Sequence, residues 1–182
     1  MDYHRRSIRL KKWNYSGGGY YFITICSFER RQMFGAIING KMISNNNGLI
    51  IENWLIKLEA RFDLVMDIFQ IMPNHIHLIL IIKNVGAIHE SPKLINGSIR
   101  KLNRAIHESP LPKRSMLSKI IGYLKMNASR EIGMFVWQRN YYEHIVRNEI
   151  ELKKIREYIR MNPIMWERDR NNPKNFKCRG DS

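Results

Sequence analysis

Two short stretches of this chain carry residue types at spacings suited to holding a metal ion beside a nucleophile. His75 and His77 stand two residues apart in H-I-H-L-I-L. On an extended strand both imidazoles then project from one face, where they can reach one ion, while Ile76 and Leu78 project from the other. An isolated H-I-H equally fits two half-buried histidines satisfied by neighbouring backbone. Tyr158 and Asn162, in Y-I-R-M-N-P, stand four apart and share one face of any helix that carries them. Asn162 offers a carboxamide oxygen, a hard donor suited to Mg²⁺ or Mn²⁺, and Tyr158 a phenolic oxygen about one turn away that can serve as a nucleophile. The same two residues also read as a packing tyrosine and a helix end before Pro163.

A strand and a helix must bring these groups together, and the hydrophobic pattern predicts both. Tyr20 to Ser27 is aromatic and β-branched, a first strand. Asn39-Gly40, between Ala36-Ile37-Ile38 and Lys41-Met42-Ile43, signals a hairpin. Asn45 to Asn47 are candidate N-caps for a helix through Leu49, Ile50, Trp54, Leu55 and Leu58. Strands over Leu64 to Met72 and His75 to Lys83 are joined by the tight Pro73-Asn74 turn and pair antiparallel. A second helix starts at Ser115. The apolar Met134 to Trp137, a short strand, leads to a last helix from Glu149 to Met161 that ends at Asn162-Pro163. This order predicts an α+β fold of the split βαβ type, ferredoxin-like or RRM-like. Its antiparallel sheet has helices on one face, its first and third strands central, and an appended C-terminal helix. An open sheet face is where a nucleic acid can lie.

The expected organisation is one domain over residues 1–182, with a basic arm at 1–13, an insertion at 84–114 and a polar, loosely held tail at 167–182. The insertion contains A-I-H-E-S-P twice, at Ala87 to Pro92 and Ala105 to Pro110, so His89 and His107 read as a duplicated loop.

Lys plus Arg number 31 against 16 Asp plus Glu, a formal charge of +15, which predicts a polyanionic partner. No segment approaches the roughly 20 apolar residues that cross a bilayer. The basic start lacks the apolar stretch of a secretory signal, so the expected location is cytoplasmic, with no membrane partner. Two cysteines provide neither a disulfide framework nor a four-ligand zinc site. Arg5, Arg6, Arg9, Lys11 and Lys12 of the arm are candidate phosphate contacts. Trp137, Gln138, Arg139, Tyr141, His144 and Arg147 interleave aromatic, amide and basic groups fit for stacking and phosphate contact; a Trp-Tyr core cluster with a solvated Arg face fits them too.

The segments M-P-N-H-I-H-L-I-L, W-Q-R-N-Y-Y-E-H-I-V-R-N-E and Y-I-R-M-N-P together resemble the REP-associated tyrosine transposases, members of the HUH (His-hydrophobic-His) endonucleases. The N-terminal Y-H-R-R-S-I-R-L-K, Y-F-I-T-I-C-S of the first strand and G-L-I-I-E-N-W of the first helix look like family sequence as well. The resemblance implies a divalent metal, Mg²⁺ or Mn²⁺, held by His75, His77 and Asn162, where the related insertion-sequence enzymes usually have Gln. It implies Tyr158 as nucleophile, with Tyr141 and Tyr142 as competitors lacking a ligand-type residue four positions later. The chemistry implied is cleavage through a 5′-phosphotyrosine bond and rejoining without ATP. The implied partner is single-stranded or hairpin DNA of the repetitive extragenic palindrome kind, bound by a nucleoid-associated monomer or homodimer. Three other readings compete: a non-cleaving hairpin binder, a metal-dependent nuclease that uses water, and a basic RNA-binding module. The last lacks the paired aromatic strand motifs such readers carry.

Overall fold

Alternation along the strands sorts the apolar residues onto two faces of one sheet. The structure, a computed structural model, describes residues 19–83 and 115–175; the basic arm, the insertion with its duplicated hexapeptide and residues 176–182 lie outside them. In chain order the elements are β1 (Gly19–Cys26), β2 (Gly35–Ile38), β3 (Lys41–Ser44), α1 (Asn46–Arg61), β4 (Leu64–Met72), β5 (His75–Ile82), α2 (Met116–Ile132), β6 (Tyr142–Val146) and α3 (Glu149–Met161). The main sheet has the order β4-β5-β1-β6, all antiparallel, with β5 and β1 central as the split βαβ plan requires. Among the described residues no helix is long and apolar enough to cross a membrane.

On one face Tyr21, Ile23 and Ile25 of β1 and Ile76, Leu78 and Leu80 of β5 pack with Ile51, Leu55 and Leu58 of α1 and Leu117, Ile120, Ile121 and Leu124 of α2. On the other, Ile79 of β5 and Val146 of β6 pack with Leu152 and Ile159 of α3. β5 is therefore covered on both sides, which explains its unbroken apolar run from Leu78 to Ile82. The face expected to lie open is crossed by α3.

Local signals account for the element ends. Asn39 and Gly40 both take positive φ, 51° and 71°, so they form the tight turn between β2 and β3. Asn45, Ser115 and Asn148 cap α1, α2 and α3 by accepting from the backbone N–H of Gly48, Ser118 and Glu151. Gly133, at φ 81°, ends α2 in the left-handed region that favours glycine.

Two expectations are corrected. The last sheet strand is Tyr142–Val146; Met134 to Trp137 makes only a single bridge, between Trp137 and Ser27. Val136 and Trp137 are consecutive and both buried, which breaks the alternation a sheet strand needs. The polar stretch after Trp166 is not loose through Asn175: it turns back over the start of β5, and Asp169, Asn171 and Asn172 are buried.

Candidate functional site

The Pro73-Asn74 turn delivers His75 and His77 at the first and third positions of β5, on the α3 side of the sheet. Both are buried. Asn74 donates from Nδ2 to the carbonyls of Arg30 and Asn171, so only its Oδ1 is left to meet His75 Nδ1, at 2.8 Å. That contact puts the proton of a neutral His75 on Nδ1 and leaves Nε2 as a lone pair. Thr24 Oγ1 holds His77 Nδ1 at 2.8 Å, and the two Nε2 atoms face each other at 3.0 Å. Burial lowers the pKa of His75 to about 4, against the opposing pull of Asp169. Burial and then the neighbouring His75 hold His77 well below the ordinary histidine value. Both are therefore neutral at neutral pH, the form that ligates metal.

α3 brings its own groups to the same place. Leu152 and Ile159 seat it on Ile79 and Val146. Arg156 clamps it sideways, with Nε to Asp67 Oδ2 at 2.8 Å and Nη2 to Asp67 Oδ1 at 2.6 Å. Asp67 is the extra residue where the β4 register shifts between Met66 and Ile68, a bulge that re-aims its carboxylate at the helix. Thus seated, α3 places the Tyr158 hydroxyl 3.3 Å from His77 Nε2, with the ring edge-on to Phe22 and His77. Burial, then the charge of Asp169, raises the Tyr158 pKa above that of an ordinary phenol, opposed by Arg170 and by a hydrogen bond with the Asn162 side chain. Asn162, one turn on, is buried; its Nδ2 donates to Asp169 Oδ2 at 2.9 Å, and its Oδ1 has no hydrogen-bond partner.

These groups fit a divalent ion. Two ligands about 2.1 Å from an octahedral ion and at right angles lie about 3.0 Å apart, which is the spacing of the two Nε2 atoms. His75, His77 and Asp169 each present a ligating atom within 4.8 Å of the others. Asn162 Oδ1 adds a buried oxygen in need of a partner. Asp169 was not a sequence candidate.

Of the expected nucleic-acid contacts, Trp137 is corrected. It is 2% exposed and packs against Phe34 in the core, so its faces are closed to bases. Arg139 and Arg147 are exposed, and Gln138 and Tyr141 are half-buried. Lys125 Nζ donates to the carbonyls of Gln138 and Asn140, fixing that loop. His144 Nε2 is tied to Glu151 Oε1 at 2.7 Å. A cavity of about 390 Å³ opens beside Thr24, the partner of His77, lined by Cys26, Arg30, Gln138, Asn140, Tyr141, Tyr142, Arg170 and Asn171. Arg30 and Arg170 at this cavity were not anticipated; they lie in the short mixed-charge runs F-E-R-R-Q and E-R-D-R-N, which carry no spacing signal. The arm residues Arg5, Arg6, Arg9, Lys11 and Lys12 lie outside the described residues.

The split βαβ sheet crossed by α3 is a fold shared with a solved REP-associated tyrosine transposase bound to a REP hairpin. The likeness has a TM-score of 0.57 and 16% identity over 87% of this chain and 74% of that one. In sequence, the chain is 39% identical over 176 residues to an uncharacterized protein of Haemophilus influenzae strain Rd, covering 92% of each. It belongs to the same family as that protein. No family model matches the chain.

Proposed function

We propose that the protein is a REP-associated tyrosine transposase that cleaves and rejoins single-stranded DNA, with Tyr158 as nucleophile and Mg²⁺ or Mn²⁺ held by His75, His77 and Asn162. The observation that carries this reading is the Tyr158 hydroxyl 3.3 Å from His77 Nε2, in a cluster where His75, Asp169 and the unpartnered Asn162 Oδ1 also meet. In cleavage the phenolic oxygen bonds to the scissile phosphorus and the bond to the 3′ oxygen breaks. The phosphodiester survives as a 5′-phosphotyrosine, and the proton lost by the phenol is balanced by the one the 3′ oxygen gains. A 3′-hydroxyl reverses the step to rejoin strands. Tyr158 is a protonated phenol at neutral pH, its pKa raised by burial, so it needs electrophilic help. A bound divalent ion supplies that help by polarising the phosphate and offsetting the charge that grows on it.

The partner in this reading is single-stranded or hairpin DNA, in a nucleoid-associated cytoplasmic protein. The formal charge of +15 supports it, as do Arg30 and Arg170 beside the cavity at Thr24. So does the REP hairpin held by the transposase of the same fold. The test is to incubate the protein and Mn²⁺ with single-stranded hairpin DNA from the flanks of its own gene, then denature. A protein-DNA adduct is expected. Cleavage without adduct would mean a water-using nuclease, and retarded but intact DNA a non-cleaving binder.

A further inference from the structure

Two imidazoles and a carboxamide are all uncharged, whereas protein sites for Mg²⁺ usually include one or two carboxylates. The carboxylate at this site comes from outside the helix and strand that carry the histidines and the tyrosine. Asp169 is buried, with Oδ2 4.0 Å from His75 Nε2. Both of its oxygens already accept an N–H: Oδ2 from Asn162 Nδ2 at 2.9 Å, and Oδ1 from the backbone of Asn171 at 2.5 Å. Its hold on Asn162 decides which end of that amide is nitrogen. Three buried side-chain polar atoms among the described residues have no hydrogen-bond partner, namely Trp137 Nε1, Asn162 Oδ1 and Asn171 Nδ2. Only Asn162 Oδ1 is an oxygen, able to meet a cation.

We infer that Asp169 is a positioning residue of the metal centre: it fixes the Asn162 amide with its oxygen left for the ion and supplies the negative charge that the other groups lack. This rests on the metal site proposed above. The segment after Trp166 thereby has a function, because the backbone that carries Asp169 is also tied to the histidines. Asn171 O receives Asn74 Nδ2, and Asn74 Oδ1 faces His75 Nδ1.

The substitution Asp169→Asn tests it. An amide has one oxygen for two N–H donors. Either its nitrogen opposes the Asn171 N–H, or it turns toward Asn162 and forces that amide to flip, putting nitrogen where the ion needs oxygen. Mn²⁺ affinity, measured by calorimetry and by electron paramagnetic resonance of the unbound ion, is expected to fall about 10- to 100-fold in Asp169→Asn, as for groups that orient metal ligands. Thermal melting in chelator checks that the fold persists, and Asp169→Ala is a second variant should one fail to fold. Because Asp169 acts through Asn162, the double variant with Asn162→Ala should lose clearly less than the product of the single losses. Affinity within about threefold of wild type in a folded Asp169 variant, or fully multiplying losses, would overturn the inference while leaving the metal site standing. If wild type fails to bind Mn²⁺, or His75→Ala binds it equally well, the site itself falls and the inference with it.

Discussion

Replacing Tyr158 with Phe removes one oxygen and leaves the ring where it is. The ring lies edge-on to Phe22 at 6.1 Å and to His77 at 5.2 Å, contacts a phenyl group keeps. The hydroxyl lies 3.3 Å from His77 Nε2, and the residue is 43% exposed. A bond that long and partly solvated falls at the weak end of the usual net value of about 0.5–1.5 kcal/mol. Since about 1 kcal/mol moves the melting temperature by about 2–4 °C in a chain of this size, the variant should melt within about 4 °C of wild type. Hairpin affinity should stay within about threefold, a change of under about 0.7 kcal/mol. The phosphotyrosine bond, by contrast, has no oxygen to form on, so the covalent adduct should fall to background. Denaturing electrophoresis of labelled hairpin DNA after incubation with Mn²⁺ reads the adduct, and retardation under native conditions reads binding. An adduct formed by Tyr158→Phe at the wild-type rate would refute the assignment. Tyr142, exposed and 6.1 Å from Phe22, would be the next nucleophile to test.

His77→Ala removes one of the paired Nε2 atoms and should weaken Mn²⁺ binding at least about tenfold by calorimetry, the lower end of what even an indirect metal contact costs; unchanged affinity would put the ion elsewhere. Trp137→Ala should destabilise by about 3–5 kcal/mol in urea denaturation, as for a buried indole. A loss of hairpin affinity without destabilisation would show that the indole reaches DNA after all. Arg156→Ala strips the partner from the Asp67 carboxylate, whose side chain is 15% exposed, and should cost about 1–3 kcal/mol. With the clamp two residues from Tyr158 gone, adduct formation should slow while Mn²⁺ affinity holds. A parallel loss of metal binding would mean that the clamp supports the histidines and not the tyrosine.

The sheet and the pairing of its chemistry were legible because each rests on a period. His75 and His77 follow the two-residue repeat of a strand, and Tyr158 and Asn162 the turn of a helix, so spacing alone puts each pair on one face. The Asn39-Gly40 turn and the caps at Asn45 and Ser115 are local effects that need no tertiary knowledge. What local reasoning could not supply was the sharing of faces between distant elements. Val136 and Trp137 look like strand residues, yet both fill the core from an irregular segment, Trp137 against Phe34. Trp137, Tyr141 and His144 sit close together in W-Q-R-N-Y-Y-E-H, but one packs in the core, one reaches Ser118, and one is tied to Glu151. Aromatic and basic interleaving therefore described composition, not a single surface.

The segment after Trp166 shows why a polar sequence can be structural where an apolar pattern would have been noticed. Hydrophobic periodicity is blind to W-E-R-D-R-N-N-P, which reads as solvated, yet the end of the sheet it covers is itself polar. Asn74 and Asn162 must satisfy their buried amide N–H groups there. An apolar lid there would leave those groups unpaired at about 1–3 kcal/mol each. Side-chain oxygens and backbone carbonyls satisfy them instead: Asn171 O takes Asn74, Asp169 takes Asn162, and Trp166 O takes Asn172. A sheet end that buries imidazoles and amides is closed here by polar chain, and polar chain closes through specific hydrogen bonds that leave no periodic trace.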